Sequence, residues 1–324
     1  MRRLGDLYGR ICDYSNLLDA FGKVRRGKQN RPDIREWTEN LEARLNALLA
    51  DLLRGDYRFG DYYVFKVFDP KERTIHAASV RERVIHHAVI NLCGPRLEAG
   101  LIDDSYACRV GKGQLRAVQR AQSFARKHPW VLKLDIRHYF DSIDQRILMG
   151  LLERKLKDWR VLGLFEELLA SYATEPGKGL PIGNLTSQYF ANLYLDAFDR
   201  WAGEVRGRSY LRYMDDMLVF GQRDDLRCLK ADSASFLADR LRLTIKGGGS
   251  LQPVGHGVEF LGYRVFPGFR LLNHRSKVRF LRRSRLLDEQ LAEGRCTEAH
   301  YQARMTALTA FVRHADTFRW RGRV

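Results

Sequence analysis

The chain has 324 residues, 45% hydrophobic and 29% charged, an ordinary globular composition long enough to bury one or two cores. No apolar run approaches the roughly 18 residues of a membrane span. Met1-Arg-Arg-Leu-Gly-Asp6 lacks a signal-peptide core, so a cytoplasmic protein without membrane contact is expected. Against 39 acidic residues stand 56 Lys and Arg, a net charge of +17 that points to a polyanionic partner. Five scattered cysteines, odd in number and without a Cys-x-x-Cys pair, suit neither a disulfide framework nor a structural zinc site.

In chain order, residues 1–36 are basic and weakly patterned, a solvated tether or an RNA-gripping arm, with 22–28 expected as a loop. Leu41, Leu45, Leu48, Leu49, Leu52 and Leu53 recur at helical spacing and predict a helix from Trp37 to Arg54, stopped by Gly55. From Tyr62 to His76 the pattern is strand, turn at Asp69-Pro70, strand. Lys71 and Arg73 at its tip can place two cations on a polyphosphate, arginine's fork gripping two oxygens. Ser79–Leu97 predicts a helix with Val84, Ala88 and Leu92 inward; its adjacent His86 and His87 diverge around the axis and read as packing or surface residues. Ser105-Tyr-Ala-Cys-Arg-Val-Gly-Lys-Gly113 is a glycine-punctuated basic loop before a further helix, and Arg109 and Lys112 are candidate phosphate contacts.

Trp130–Ile136 predicts a core strand with Leu132, Leu134 and Ile136 on one face and Lys133 and Asp135 on the other. Asp141 and Asp144 are expected to cap the helix that carries Ile147, Leu148, Leu151 and Leu152. Glycines between 177 and 183 let backbone approach a ligand, and a helix starts near Asn184. Period-two patterning makes Tyr210–Tyr213 and Met217–Phe220 the strands of a hairpin, with Met214-Asp215-Asp216 its tight turn. A helix over Leu226–Leu241 turns Leu226, Leu229, Phe236, Leu237 and Leu241 inward. From Arg270 onward, 13 basic residues face 5 acidic ones. Arg275, Lys277, Arg279, Arg282, Arg283 and Arg285 would cover a broad helical face suited to a duplex backbone.

Adjacent carboxylates on a hairpin tip raise each other's pKa, and a divalent cation offsets their repulsion; hard Mg²⁺ favours such oxygens. Asp135, brought beside the hairpin, would complete a three-acid set. Such a set suits two cations that clamp the attacking and leaving oxygens of an in-line phosphoryl transfer.

Tyr213-Met-Asp-Asp216 resembles the Tyr-x-Asp-Asp box of reverse transcriptases, and Leu134-Asp-Ile-Arg-His-Tyr-Phe140-Asp-Ser-Ile143 resembles their first palm motif. The resemblance covers nearly the whole chain. It implies a right-hand α+β polymerase whose two Mg²⁺ are held by Asp135, Asp215 and Asp216, with the Ile136 carbonyl completing a shell. It also implies that the hairpin cations Lys71 and Arg73 bind the incoming triphosphate and that the loop with Arg109 and Lys112 lies along the template. Phe140 would stack on the sugar and bar a 2′-hydroxyl, which implies deoxynucleotide substrates. Phe260-Leu-Gly-Tyr263 resembles the hairpin that grips the primer end, with Gly262 allowing close approach. The helix bearing Arg275, Lys277 and Arg282 takes the place of the thumb. A lysine in the family's motif near 248 would protonate pyrophosphate; Gly248 stands there and Lys246 lies two residues earlier, so the general acid stays open.

Gly177–Leu195 resembles the palm's Gln-Gly-x-x-x-Ser-Pro motif, but Ile182 replaces the Gln and Gln188 the Pro. This Ile-Gly-x-x-x-Ser-Gln variant, including Gly183, resembles the reverse transcriptases of diversity-generating retroelements, which copy a template RNA with frequent errors opposite adenine. An alkyl group at 182 cannot hydrogen-bond the incoming nucleotide, and losing polar readout weakens discrimination more than binding. The domains expected are an N-terminal extension and fingers over 1–128, a palm over 129–268 with an insertion at about 155–180, and a thumb over 269–324. Partners expected are template RNA, primer or cDNA, dNTPs, and an accessory protein or structured noncoding RNA. The rival readings are an antiphage or retron-like reverse transcriptase with its own noncoding RNA, and a non-catalytic RNA-binding maturase.

Overall fold

The computed structural model describes residues 3–68, 72–203, 208–317 and 320. Helices α1 (Tyr8–Ile11), α2 (Tyr14–Arg25), α3 (Pro32–Glu39) and α4 (Leu41–Arg54) precede the hairpin β1 (Tyr62–Phe68) and β2 (Glu72–Ala78) and the long helix α5 (Val80–Glu98). Helix α6 (Gln114–Ala125) leads into strand β3 (Trp130–Asp135), followed by α7 (Tyr139–Ser142), α8 (Gln145–Glu153), α9 (Trp159–Ala170), α10 (Leu185–Tyr194) and α11 (Asp196–Gly203). Then come β4 (Ser209–Tyr213), β5 (Asp216–Gly221) and α12 (Arg223–Leu241), four short strands β6 (Ser250–Pro253), β7 (Val258–Phe260), β8 (Tyr263–Val265) and β9 (Arg270–Leu272), and helices α13 (His274–Ala292) and α14 (Glu298–Val312). This is the expected α+β class, with every sheet antiparallel among the described residues.

The chain folds into two compact units. One comprises Met1–Ile102, Ile136–Phe198 and Ser235–Thr244. Its centre is α5, started by the Ser79 side chain, which caps the Glu82 N–H. Val84, Ile85, Ala88, Val89 and Cys93 are buried around most of its circumference, so α5 lacks the one-sided stripe of a surface helix. His86 is fully buried and stacks on Phe59, a packing residue as expected. Helix α2 occupies a stretch where a loop was expected from Gly22 onward. Leu17, Ala20, Phe21 and Val24 follow the i, i+3, i+4, i+7 rule and are buried, which outweighs the roughly 1 kcal/mol cost of Gly22 in the helix. The single helix expected over 37–54 is broken at Asn40 (φ −121°, ψ 34°), and Leu53 is exposed rather than inward. Gly55 closes α4 in the left-handed region (φ 74°), as its position after the last leucines predicts. Asp144 caps α8 by accepting from the Ile147 N–H, whereas Asp141 lies inside α7 and caps nothing.

The other unit comprises Asp103–Asp135, Asp199–Ala234 and Ile245–Val324. Its sheet runs β4-β5-β3-β6, and a second sheet runs β7-β8-β9. Val131, Leu211, Leu218 and Phe220 from the first sheet share one core with Ala117, Val118, Ala121 and Phe124 of α6 and with Phe260, Tyr263 and Val265 of the second sheet. Helices α13 and α14 pack on each other, and the Tyr263 hydroxyl donates to the Phe311 carbonyl at 2.8 Å. No helix among the described residues is long and apolar enough to cross a membrane.

Candidate active site

Strands β3 and β5 carry the acids. Asp135 ends β3 and stands in register opposite Asp216, the first residue of β5, so both side chains leave the same face of the sheet. Asp216 is therefore a strand residue, and the turn proper is Met214-Asp215, with Tyr213 paired to Asp216 across it. Met214 takes a positive φ of 56°, an uncommon conformation for a side-chain-bearing residue. Asp215 is half-buried at the tip.

Two lysines that sequence reasoning left without a role face these acids. Lys133, two residues before Asp135 and so on the same face, brings Nζ to 3.0 Å from Asp216 Oδ1 and donates to the Glu259 carbonyl at 2.9 Å. Lys246 brings Nζ to 3.5 Å from Asp135 Oδ2. Burial pushes the Asp216 carboxyl above the usual carboxylate range; Lys133 opposes that rise and Asp135 adds to it. The alternation of β3 placed Lys133 on this face, but nothing in the spacing said which acid it would meet.

Among the described residues, no three His, Cys, Asp or Glu side chains converge closely enough to hold a metal ion, and Asp135 and Asp216 each face an ammonium. The donor chemistry nonetheless fits Mg²⁺. Asp216 Oδ1 is a buried, hard oxygen that already draws a cation, the Lys133 ammonium, to 3.0 Å.

Residues 69–265, more than half of the sequence, match the family model described as reverse transcriptase (RNA-dependent DNA polymerase). The chain belongs to the reverse transcriptase family. Protein YkfC of Escherichia coli strain K12 is 24% identical over 69% of this chain and 73% of its own length. The group II intron-encoded protein LtrA of Lactococcus lactis subsp. cremoris is 26% identical over 44% of this chain and 25% of its own. A solved apo telomerase from Candida tropicalis aligns with TM-score 0.49 and 12% identity over 66% of this chain and 47% of that one. The chain thus spans most of YkfC but a quarter of LtrA and under half of the telomerase.

The remaining candidate residues fall in both units. In the first, Arg73 is exposed on β2 opposite Val67, while Lys71 lies outside the described residues. The Ile182 carbonyl accepts from the His76 N–H at 2.9 Å, which ties the glycine loop to the strand bearing Arg73. Gly183, at φ 118°, sits so close to that strand that a Cβ would lie 2.9 Å from Ile75 Cγ2. Phe140, half-buried in α7, lies edge-on to Tyr139. Ile136 is buried immediately after Asp135.

In the second unit, Arg109 donates to the Ser105 carbonyl at 3.0 Å, and Lys112 pairs with Asp103 while lying 5.2 Å over the Tyr106 ring. Gly262 (φ 86°) does admit a close approach, but of this protein's own helices: a Cβ would lie 2.8 Å from Ser276 Oγ and 3.0 Å from Phe311 Cζ. Arg275 and Arg282 are exposed on α13, and Lys277 reaches over the Trp320 ring at 6.0 Å.

Proposed function

We propose that this chain is an error-prone RNA-directed DNA polymerase that makes cDNA for a diversity-generating retroelement. The observation that carries the polymerase reading is the in-register pair Asp135 and Asp216 beside the Met214-Asp215 turn. Asp135, Asp215, Asp216 and the Ile136 carbonyl would hold two Mg²⁺, which when bound would stabilise the attacking and leaving oxygens of an in-line transfer to a primer 3′-hydroxyl. Lys133 and Lys246 supply positive charge against the same carboxylates. The 3.5 Å approach of Lys246 to Asp135 supports it, rather than position 248, as the proton donor to pyrophosphate. Arg73 would take the triphosphate and Phe140 exclude ribonucleotides. Arg109, Lys112, Gly262, Arg275, Lys277 and Arg282 would serve template and duplex. In this reading residues 1–128 act as an N-terminal extension and fingers, 129–268 as a palm with an insertion at about 155–180, and 269–324 as thumb, in the cytoplasm, with a structured RNA or accessory protein as partner.

A primer-extension assay with Mg²⁺ and separate dNTP and rNTP pools tests the activity. Extension with dNTPs alone is expected, and Asp215→Ala should abolish it while RNA affinity survives, because the basic surface is untouched. Extension that persists in Asp215→Ala would remove the metal role of this turn. The retroelement reading rests on Ile182 and Gln188, and sequencing of the cDNA tests it: errors should concentrate opposite adenine and fall in Ile182→Gln. Unchanged errors in that variant refute the role of Ile182.

The name of LtrA favours a second reading, in which the chain acts on an intron-like structured RNA. A chain that binds such RNA tightly but extends no primer would establish it as a maturase.

A further inference from the structure

The turn that carries Asp215 is an unfavourable one. A two-residue hairpin turn with positive φ at its first central residue alone favours glycine at that place, whereas here Met214 adopts φ 56° with a bulky side chain. Something outside the dipeptide must hold it. Arg212, fully buried in β4, donates from Nη1 to the Met214 carbonyl at 3.0 Å, one residue from Asp215. Its other arms are fixed in a fork on Asp199 of α11, also fully buried: Nε to Oδ1 at 2.7 Å and Nη2 to Oδ2 at 2.6 Å. The Tyr210 hydroxyl donates to the same Oδ1 at 2.6 Å, so the carboxylate is held by three directed donors.

The backbone of Arg212 is pinned as well. Its N–H donates to the Asp104 carbonyl at 2.9 Å, and its carbonyl accepts from the Tyr106 N–H at 2.9 Å. Asp104 is itself held by the Arg120 fork at 2.8 and 2.9 Å. A buried charge pair is a poor way to gain stability, since apolar residues of similar volume often serve equally well. Its persistence directly behind an acidic turn calls for another explanation.

We propose that Arg212, locked by Asp199 and Tyr210, is a positioning residue that fixes the Met214-Asp215 turn in the geometry required for metal binding and transfer. The inference rests on the polymerase reading of Asp135, Asp215 and Asp216. Arg212 touches neither substrate nor metal; it acts through the Met214 carbonyl. Lysine cannot replace it, because a single ammonium cannot pair with both Asp199 oxygens and also reach the turn.

The test replaces the whole buried network with apolar groups of similar size, Asp199→Leu/Tyr210→Phe/Arg212→Met, and compares it with wild type and with Arg212→Lys. Three quantities are read: melting temperature, Mn²⁺ affinity of the free protein by calorimetry, and the kcat and KM for dNTP in primer extension. The expected result is a triple variant that melts near wild type yet binds Mn²⁺ and turns over about 10- to 100-fold more weakly, the usual cost of losing an outer-shell partner. KM for dNTP should stay within about threefold, since substrate contacts remain.

A triple variant that melts, binds Mn²⁺ and extends like wild type overturns the proposal and leaves the pair a packing device. Should the triple variant fail to fold, Arg212→Lys decides by the same readouts: a folded lysine variant with wild-type kcat and Mn²⁺ affinity overturns it, and a selective loss of both supports it. If wild type itself extends no primer, the polymerase reading fails, while the Mn²⁺ comparison still judges the clamp.

Discussion

Gly262→Ala separates two meanings of a glycine at a primer-gripping turn. At φ 86° an alanine pays for left-handed backbone, about 1–2 kcal/mol. Its Cβ would also lie 2.8 Å from Ser276 Oγ and 3.0 Å from Phe311 Cζ, and overpacking of that kind costs about 1–3 kcal/mol. Neither neighbour can retreat freely, because Ser276 is buried in the first turn of α13 and Phe311 lies against Tyr263 with ring centroids 4.8 Å apart. The total is about 2–5 kcal/mol, which lowers the melting point of a unit this size by at least about 4 °C. Ser276→Ala in the Gly262→Ala background removes the nearer obstruction and should return part of the loss, a coupling of about 0.5–3 kcal/mol in a double-mutant cycle. Thermal unfolding and primer extension are measured together. A Gly262→Ala protein that melts within about 0.5 kcal/mol of wild type refutes the packing argument; if it has also lost extension, the close approach belongs to nucleic acid instead.

Three other outcomes are expected. Burial pushes His86 down to about 3, and neither ring nitrogen has a hydrogen-bond partner among the described residues, so it is neutral in the fold and charges on unfolding below its ordinary value. Its folded pKa is depressed, so the native state loses stability as pH falls; His86→Leu should gain on wild type by about 1.4 kcal/mol per pH unit between about 6 and 4, read from melting curves. Asp144 is the reverse case: burial alone would raise it, but the Ile147 N–H and Arg242 outweigh that and hold the carboxyl below the usual range. Asp144→Ala should cost about 1–2 kcal/mol at pH 7, and the gap should narrow as pH falls below about 4, where the wild-type carboxylate takes up its proton. Replacing exposed Arg275 and Arg282 together by Gln should weaken RNA binding regardless of sequence and flatten the log–log salt slope by about 2, measured by filter binding at several salt concentrations.

The acids and their hairpin were legible because period-two alternation and an Asp-Asp step are local signals. Register is not local: that Asp135 faces Asp216 depends on pairing between strands 80 residues apart, and it moved Asp216 out of the turn and into β5. The Arg212–Asp199 pair was invisible for a related reason. Nothing local marks an arginine between Leu211 and Tyr213 as buried; its partner Asp199 comes from α11, outside the hairpin. Lys246 looked misplaced when counted along the chain, yet its ammonium comes within 3.5 Å of Asp135. Helix α2 is legible in the spacing of Leu17, Phe21 and Val24, a signal that Gly22 and the neighbouring cations oppose locally and burial overrides.

The order β4-β5-β3-β6 places both acid-bearing strands between neighbours, with β6 pairing Trp130–Lys133 of β3. Deleting one residue inside 130–135 would therefore either carry Asp135 to the opposite face or break two ladders at once. Length variation among natural homologues, and insertion tags in the laboratory, should accordingly be purged from β3 and β5 and accumulate at connections such as the segment between α13 and α14, where a gained residue re-aims nothing.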